Sequence, residues 1–515
     1  MINLTRRFLP LVTCHLFCLL LFAFCLLLFL PACSTSKQLQ ISPTDGARSL
    51  AELRQRLDQI LNDPALAHAL AGIKIVSLRT GEVFYERSAD LLAHPASNQK
   101  LLTSAAALSL LGPAYVFRTS VACDSALKID SVLTGDLYLI GRGNPDLRGE
   151  DLFGLAHNLA QMGIREIHGN LICDESYHDD IRWGNGWMWD DEPSYLWSRF
   201  SALTVNDNAV VVRVTPADTL GKPARVQIDP PTNHLALVNT SMTIKRKTQI
   251  DSLKLASLLI TRKWQQNENT ILVDGAIAQD ESPQEEKINV LEPEIYSGRV
   301  FRNLLLRAGI AVHGNVQRGI ASGKIKILAE HRAPIMPILI NLNKVSDNLS
   351  AELLLKTIGA EKFGVPGTAT KGIRAMRQFF SSAGVDTNAV YSVDGSGVSH
   401  YNLITPANIV NLLAAMWKNF AIRHEFAATL PIAGVDGTLS NRMKGTMAAG
   451  VLHAKTGTFS AVSALSGYTA TAEGEELAFS FIMQHFLSGY RPIRLIQDRL
   501  GAELSAFRRS VSAAQ

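Results

Sequence analysis

Ser97 and Lys100 stand three residues apart at the head of a run, LLTSAAALSLLG, that reads as helix, so their side chains share one face. A serine hydroxyl is a weak nucleophile near neutral pH and needs an adjacent base. A lysine one turn away can be that base if burial and nearby cations depress its pKa. Ser97 would then carry a covalent acyl group. Alone, the pair is equally an ordinary first helical turn with Ser97 near the cap. Downstream, Ser346-Asp347-Asn348 lies between two helix-like stretches in NLNKVSDNLSAELLLKTIG. There Ser346 could relay a proton between Lys100 and a leaving amine, and Asn348 could hold both a substrate backbone and the lysine. A helix N-cap would use the same residues. Lys455-Thr456-Gly457-Thr458 sits in a strand-like segment with apolar neighbours. Its ammonium and hydroxyls suit a substrate's terminal carboxylate, and Gly457 lets a ligand approach the backbone. An edge-strand lysine before a small-residue turn would look the same.

In this order the three segments resemble the signature shared by β-lactamases and penicillin-binding proteins. The gaps of 249 residues from Ser97 to Ser346 and 109 from Ser346 to Lys455 narrow the resemblance. They look like those of the D-alanyl-D-alanine carboxypeptidase/endopeptidase family, the class C low-molecular-mass penicillin-binding proteins, which carry a large insertion at that point. Gly135–Leu147 (GDLYLIGRGNPDL), Asp394–Pro406 (DGSGVSHYNLITP) and Ala433–Met443 (AGVDGTLSNRM) are similar to further characteristic segments, and the similarity runs from about residue 49 to 505. Gly141-Arg142-Gly143-Asn144-Pro145 departs from the family's usual Gly-Gly-Asp-Pro, and His400 and Tyr401 replace residues that are often basic and acidic.

The resemblance implies a serine peptidase acting on peptidoglycan stem peptides and their cross-links, sensitive to β-lactam antibiotics, with no cofactor. It also implies an oxyanion hole made by the backbone N–H groups of Ser97 and Thr458. Trp187-Met188-Trp189-Asp190-Asp191 resembles a family loop near the active site, where Asp191 would bind the amino end of a diamino-acid side chain. An aromatic loop packing on its own domain is the plainer reading. A β-lactamase-like hydrolase or esterase, and a wall-peptide-binding lipoprotein without catalysis, are the competing functions. His94 and His453, close to Ser97 and Lys455, read as structural because a lysine already fills the role of base.

The 515 residues are 47% hydrophobic and 19% charged, a globular balance that implies more than one core. A net charge of +4, falling to about +2 without Arg6 and Arg7, argues against a nucleic-acid partner. Those arginines precede an apolar run from Phe8 to Ala32, the grammar of an export signal. Its end, Leu30-Pro31-Ala32-Cys33 before Ser34, resembles a bacterial lipoprotein cleavage box with Cys33 as the lipidated residue. An uncleaved signal anchor is the alternative. Both place the body outside the cytoplasm, periplasmic and membrane-anchored. Cys123 and Cys173 could pair in an oxidising compartment or remain separate buried thiols. No metal site is expected.

The elements that must position these residues come from both ends of the chain. After a tether (33–48), a helix begins at Ser49 with Leu50, Leu53, Leu57, Ile60 and Leu61 on one face. Two strands flank Arg79-Thr80-Gly81 as a hairpin. Near the C-terminus, 451–458, 461–470 and 475–485 read as three strands before a final helix. The expected fold is therefore α+β: a β-lactamase/transpeptidase-like domain (49–115 and 328–515) whose five-stranded antiparallel sheet is flanked by helices. Residues 116–327, rich in short alternating strands, form an inserted β-rich region of two modules, with a charged loop at Asp280–Lys287 and a helix followed by a strand near Val312.

Overall fold

The computed structural model describes residues 46–124, 131–252 and 254–509. The expected leader and Cys33 lie outside the described residues. Ser49 caps α1 (Leu50–Leu61), its hydroxyl accepting the Glu52 N–H at 3.1 Å. The periodic Leu53, Leu57, Ile60 and Leu61 are its buried stripe. β1 (Leu70–Ser77) and β2 (Val83–Arg87) form the hairpin, and α2 (Gln99–Leu110) follows. Beyond the inserted region come α3 (Ile335–Lys344), α4 (Asn348–Phe363) and α5 (Pro406–Lys418). The chain closes with β3 (His453–Phe459), β4 (Val462–Ala470), β5 (Glu476–Gln484) and α6 (Tyr490–Ala506).

The five strands make one antiparallel sheet in the order β2–β1–β5–β4–β3. Alternate residues of a strand face opposite sides, and here both sides are covered. Leu477, Phe479, Phe481 and Met483 of β5 join the core with α1 and α6, while Ala478 and Ile482 join the core with α2 and α5. Helix α2 is buried from Gln99 through Leu108, enclosed by the sheet and by α3, α4 and α5. That enclosure explains a sequence with no polar stripe. β3 lies at the sheet edge, with the turn that carries Ser97 packed beside it.

The segment between α2 and α3 begins and ends on paired strands. Strand Val116–Asp124 leaves α2 and pairs with Ile325–Pro334, which runs directly into α3. The expected boundary at residue 327 falls inside that second strand. These two strands belong to a mixed five-stranded sheet with Leu137–Gly141, Leu171–Asp174 and Val316–Arg318. An antiparallel trio, Gln284–Asn289, Ala209–Thr215 and Arg225–Asp229, shares its apolar core. Part of the expected charged loop is thus a strand, because Ile288 is buried while Gln284, Glu285 and Glu286 stay in solvent. Helix Gly149–Gln161 is an addition to the strand-only reading there, its buried stripe being Leu152, Leu155, Ala156 and Leu159. Cys123 and Cys173 are separate buried thiols, on strands separated by Leu137–Gly141.

Candidate active site

Ser97 sits in a single 3₁₀ turn, Ala96–Asn98, one step before α2 begins at Gln99. Ala96 is held at φ +46°, a left-handed conformation that costs a non-glycine residue on the order of 1 kcal/mol. Strain of this kind survives only where the surroundings over-determine it, and here they do. Gly397 covers the turn so closely that a Cβ on it would lie 1.8 Å from the Ala96 carbonyl oxygen.

Lys100 is fully buried. Its Nζ lies 2.9 Å from Ser97 Oγ, 2.7 Å from Asn348 Oδ1 and 2.8 Å from the Ser396 carbonyl oxygen. The last two partners can only accept. They take two hydrogens and leave the third direction aimed at the serine hydroxyl. A neutral Lys100 would keep both bonds and present its lone pair to the Ser97 proton. Burial favours that neutral form, bringing the ammonium from an ordinary 10.5 down to about 8 against the pull of Asp347, Asp394 and Glu352.

Each partner is fixed by its own element. Asp347 caps α4, its carboxylate accepting the Ser350 N–H at 2.6 Å, so Asn348 is the first helical residue. The Asn348 amide donates to the Leu196 carbonyl at 2.7 Å, which turns Oδ1 toward Lys100. The Ser396 carbonyl belongs to a loop organised by two buried carboxylates. Asp394 accepts from the N–H groups of Gly397 (2.8 Å) and Ser399 (2.7 Å) and from the Trp187 indole (3.0 Å). Glu352 accepts the N–H groups of Gly395 (3.0 Å) and Ser396 (2.8 Å). Burial and the nearby Asp394 charge push the Glu352 carboxyl above the usual carboxylate range.

Lys455, also fully buried, is pushed well below the usual lysine range by burial and by the Lys100 charge. It donates to Ser346 Oγ at 2.8 Å and to the Thr456 carbonyl at 2.9 Å. Ser346 itself stands at φ +66°. On the same strand, the Ala454 N–H points off the free edge to the Pro431 carbonyl at 2.9 Å. Strand alternation gives the Thr456 and Thr458 N–H groups that outward direction as well. A Cβ at Gly457 would stand 2.8 Å from the Pro95 carbonyl oxygen and 3.1 Å from the Ser97 nitrogen. Glycine therefore lets β3 lie against the serine turn.

Ser97, Ser346, Asn348, Thr456 and Thr458 all line one cleft of about 420 Å³. Leu196 and Trp197, from the inserted region, form part of its wall, as do Thr438, Arg442 and Arg494. Arg494 donates to Thr458 Oγ1 at 3.2 Å, and Thr456 Oγ1 to Thr438 Oγ1 at 2.8 Å. Thr438 and Arg442 fall within the Ala433–Met443 segment quoted for the resemblance, whereas Leu196, Trp197 and Arg494 carry no signal in the sequence. Leu196 acts through its carbonyl, and Arg494 is one of several arginines on an amphipathic helix. Asp191 lies in the turn Trp189–Asp191, accepts the Met188 N–H at 3.0 Å and is not among the cleft-lining residues. His94 has its ring 3.3 Å from the Asn402 carbonyl, and burial lowers the His453 pKa; neither lines the cleft.

A serine held against a buried lysine, beside an edge strand carrying a second buried lysine, defines a serine acyl-transfer site. The chain belongs to the D-Ala-D-Ala carboxypeptidase 3 (S13) family, which it matches over residues 53–497. It is 38% identical over 486 residues to a D-alanyl-D-alanine carboxypeptidase of Actinomadura sp. (strain R39), covering 91% of this chain and 87% of that protein. It is 26% identical to the D-alanyl-D-alanine carboxypeptidase DacB of Haemophilus influenzae over 91% of this chain and 94% of that one. The crystal structure of penicillin binding protein 4 from Haemophilus influenzae shares the fold, with a TM-score of 0.75 at 23% identity over 88% of this chain and 99% of that one. A second structure of that protein, complexed with a β-lactam, superposes with a TM-score of 0.71 at 22% identity over 89% and 99%.

Proposed function

We propose that this serine-type D-Ala-D-Ala carboxypeptidase trims or opens peptidoglycan stem peptides through an acyl-enzyme on Ser97. The observation that carries this reading is the setting of Lys100 Nζ, whose one non-carbonyl hydrogen-bond partner among the described residues is the Ser97 hydroxyl. In acylation, Lys100 takes the Ser97 proton as Oγ adds to the carbonyl carbon of the scissile D-Ala amide. The oxyanion is met by the N–H groups of Ser97 and Thr458, each such donor being worth about 10²–10³ in rate. Ser346, bonded to Lys455, relays the proton that Lys100 took up to the leaving amine, and water then hydrolyses the acyl–serine bond and restores the Ser97 hydroxyl. Lys455, Thr456 and Thr458 hold the terminal carboxylate, charge to charge. Asn348 aligns the substrate backbone. β-Lactams acylate the same oxygen. Asp191 offers an anionic contact to the amino end of a diamino-acid side chain. Lipidation at Cys33 tethers the enzyme to a membrane on the periplasmic side.

Purified muropeptides test the reading. Loss of D-Ala from pentapeptide monomers, or conversion of cross-linked dimers to monomers, supports it. Intact muropeptides together with rapid turnover of penicillin would favour a β-lactamase instead.

A further inference from the structure

Glu166, His168 and His313 meet on an exposed face of the inserted region, and none of them lines the cleft. Backbone register brings them together. The short strands Glu166–Ile167 and Ala311–Val312 run parallel, with Glu166 opposite Ala311 and Ile167 opposite Val312. Hydrogen bonding continues one residue further. The His313 N–H donates to the Ile167 carbonyl and the His168 N–H to the Leu133 carbonyl, both at 2.9 Å. Residues two apart along a strand share a face, so Glu166 and His168 project together. The same register sets His313 beside His168.

The side chains have converged accordingly. Glu166 Oε2 lies 3.0 Å from His168 Nε2 and 3.2 Å from His313 Nε2, and all three ligand atoms fall within 4.8 Å of one another. Tetrahedral zinc holds imidazole nitrogen and carboxylate oxygen at about 2.0–2.2 Å, which separates neighbouring ligand atoms by roughly 3.3 Å. Both Glu–His spacings are close to that value. We propose that Glu166, His168 and His313 bind one zinc-class divalent cation, with water completing its shell. Two imidazoles and a carboxylate suit zinc better than magnesium or calcium, which prefer all-oxygen sets. Each side chain is about half exposed, so the ion enters from solvent without opening the fold. Once bound, it joins segments 147 residues apart and staples the strand trio Val132–Leu133, Glu166–Ile167 and Ala311–Val312.

Without a metal, protonated imidazoles clasping Glu166 would produce the same convergence, so the experiment must separate the two. Zinc chloride is titrated calorimetrically into the full chain, prepared without a polyhistidine tag, and cobalt(II) absorption spectra are recorded in parallel. The expected result is one histidine-dependent equivalent of zinc, with cobalt d–d bands and no added sulfur-to-cobalt charge transfer from that site. His168→Ala and His313→Ala weaken it at least tenfold, and zinc raises the melting temperature of the wild type alone. Penicillin acylation is unchanged in both variants. Glu166→Gln, which preserves hydrogen bonding, weakens binding too and serves if a histidine variant misfolds. Absence of stoichiometric binding to the wild type, wild-type binding by the variants, or a cobalt signal owed wholly to cysteine would overturn the proposal.

Discussion

Two carbonyl oxygens decide what Lys100 can do. Because Asn348 Oδ1 and the Ser396 carbonyl cannot give a proton back, the one exchangeable partner of Nζ among the described residues is Ser97 Oγ. The burial that brings Lys100 to about 8 then sets a pH dependence. The base must be neutral, so the second-order rate of acylation by benzylpenicillin should fall about tenfold per pH unit below that value. Stopped-flow acylation from pH 5 to 9 checks this; a flat profile would remove Lys100 from the role. The sign for stability is the opposite of a salt-bridged lysine. Between about 8 and 10.5 the unfolded chain binds a proton that folded Lys100 has lost, so this residue's penalty is largest below 8 and fades as pH rises. Lys100→Ala should lower acylation about 10²–10⁴-fold while leaving Ser97 in place. The side chains at this centre were legible in the sequence because type and spacing announce them. The carbonyls of Ser396 and Leu196 were not, since any residue supplies a backbone oxygen.

At the scale of elements, the cleft depends on a loop lent by the inserted region. Residues 192–199 are clamped by buried Glu192, which pairs with both Arg199 and Arg262. Arg262 also donates to Asn289 Oδ1 at 3.0 Å, and Asn289 donates to the Trp197 carbonyl at 2.9 Å. Removing one partner from a buried ion pair leaves the other charge stranded, typically at 3–5 kcal/mol. Glu192→Ala should therefore lose about 3 kcal/mol in chemical denaturation and slow acylation, because Leu196 no longer orients Asn348. Equal stability would mean that solvent reaches Arg262 and the clamp is dispensable. Gly397→Ala should fold less stably and acylate poorly, its Cβ meeting the Ala96 carbonyl at 1.8 Å; wild-type labelling by this variant would contradict the fit. The sheet strands were readable from alternation and the outer helices from their stripes. Helix Gly149–Gln161 was hidden among strand-like neighbours, and the pairing of Glu192 with Arg262, 70 residues apart, leaves no local pattern.

On the scale of the whole molecule, the sheet is assembled from both ends of the chain, and its construction places the Ser97 turn next to the edge strand β3. β1 must pair with β5 before Gly457 can lie against the Ser97 turn, so the site exists only once the ends have met. That long-range closure could be expected from two strands early and three late. How the insertion reaches back over the cleft could not, since it depends on the strand pair Val116–Asp124 and Ile325–Pro334 returning the chain to α3. If Cys33 is the lipidated residue, globomycin, which blocks lipoprotein signal cleavage, should leave a heavier form of the chain in mass spectrometry; no mass shift would point to an uncleaved anchor. Ser97 Oγ is the oxygen proposed to carry the acyl group. Wild type and Ser97→Ala are incubated with a fluorescent penicillin, and the labelled peptide is mapped by mass spectrometry. One stable adduct is expected on Ser97 in the wild type and none in the variant. Labelling of Ser97→Ala, or an adduct on another residue, would contradict it.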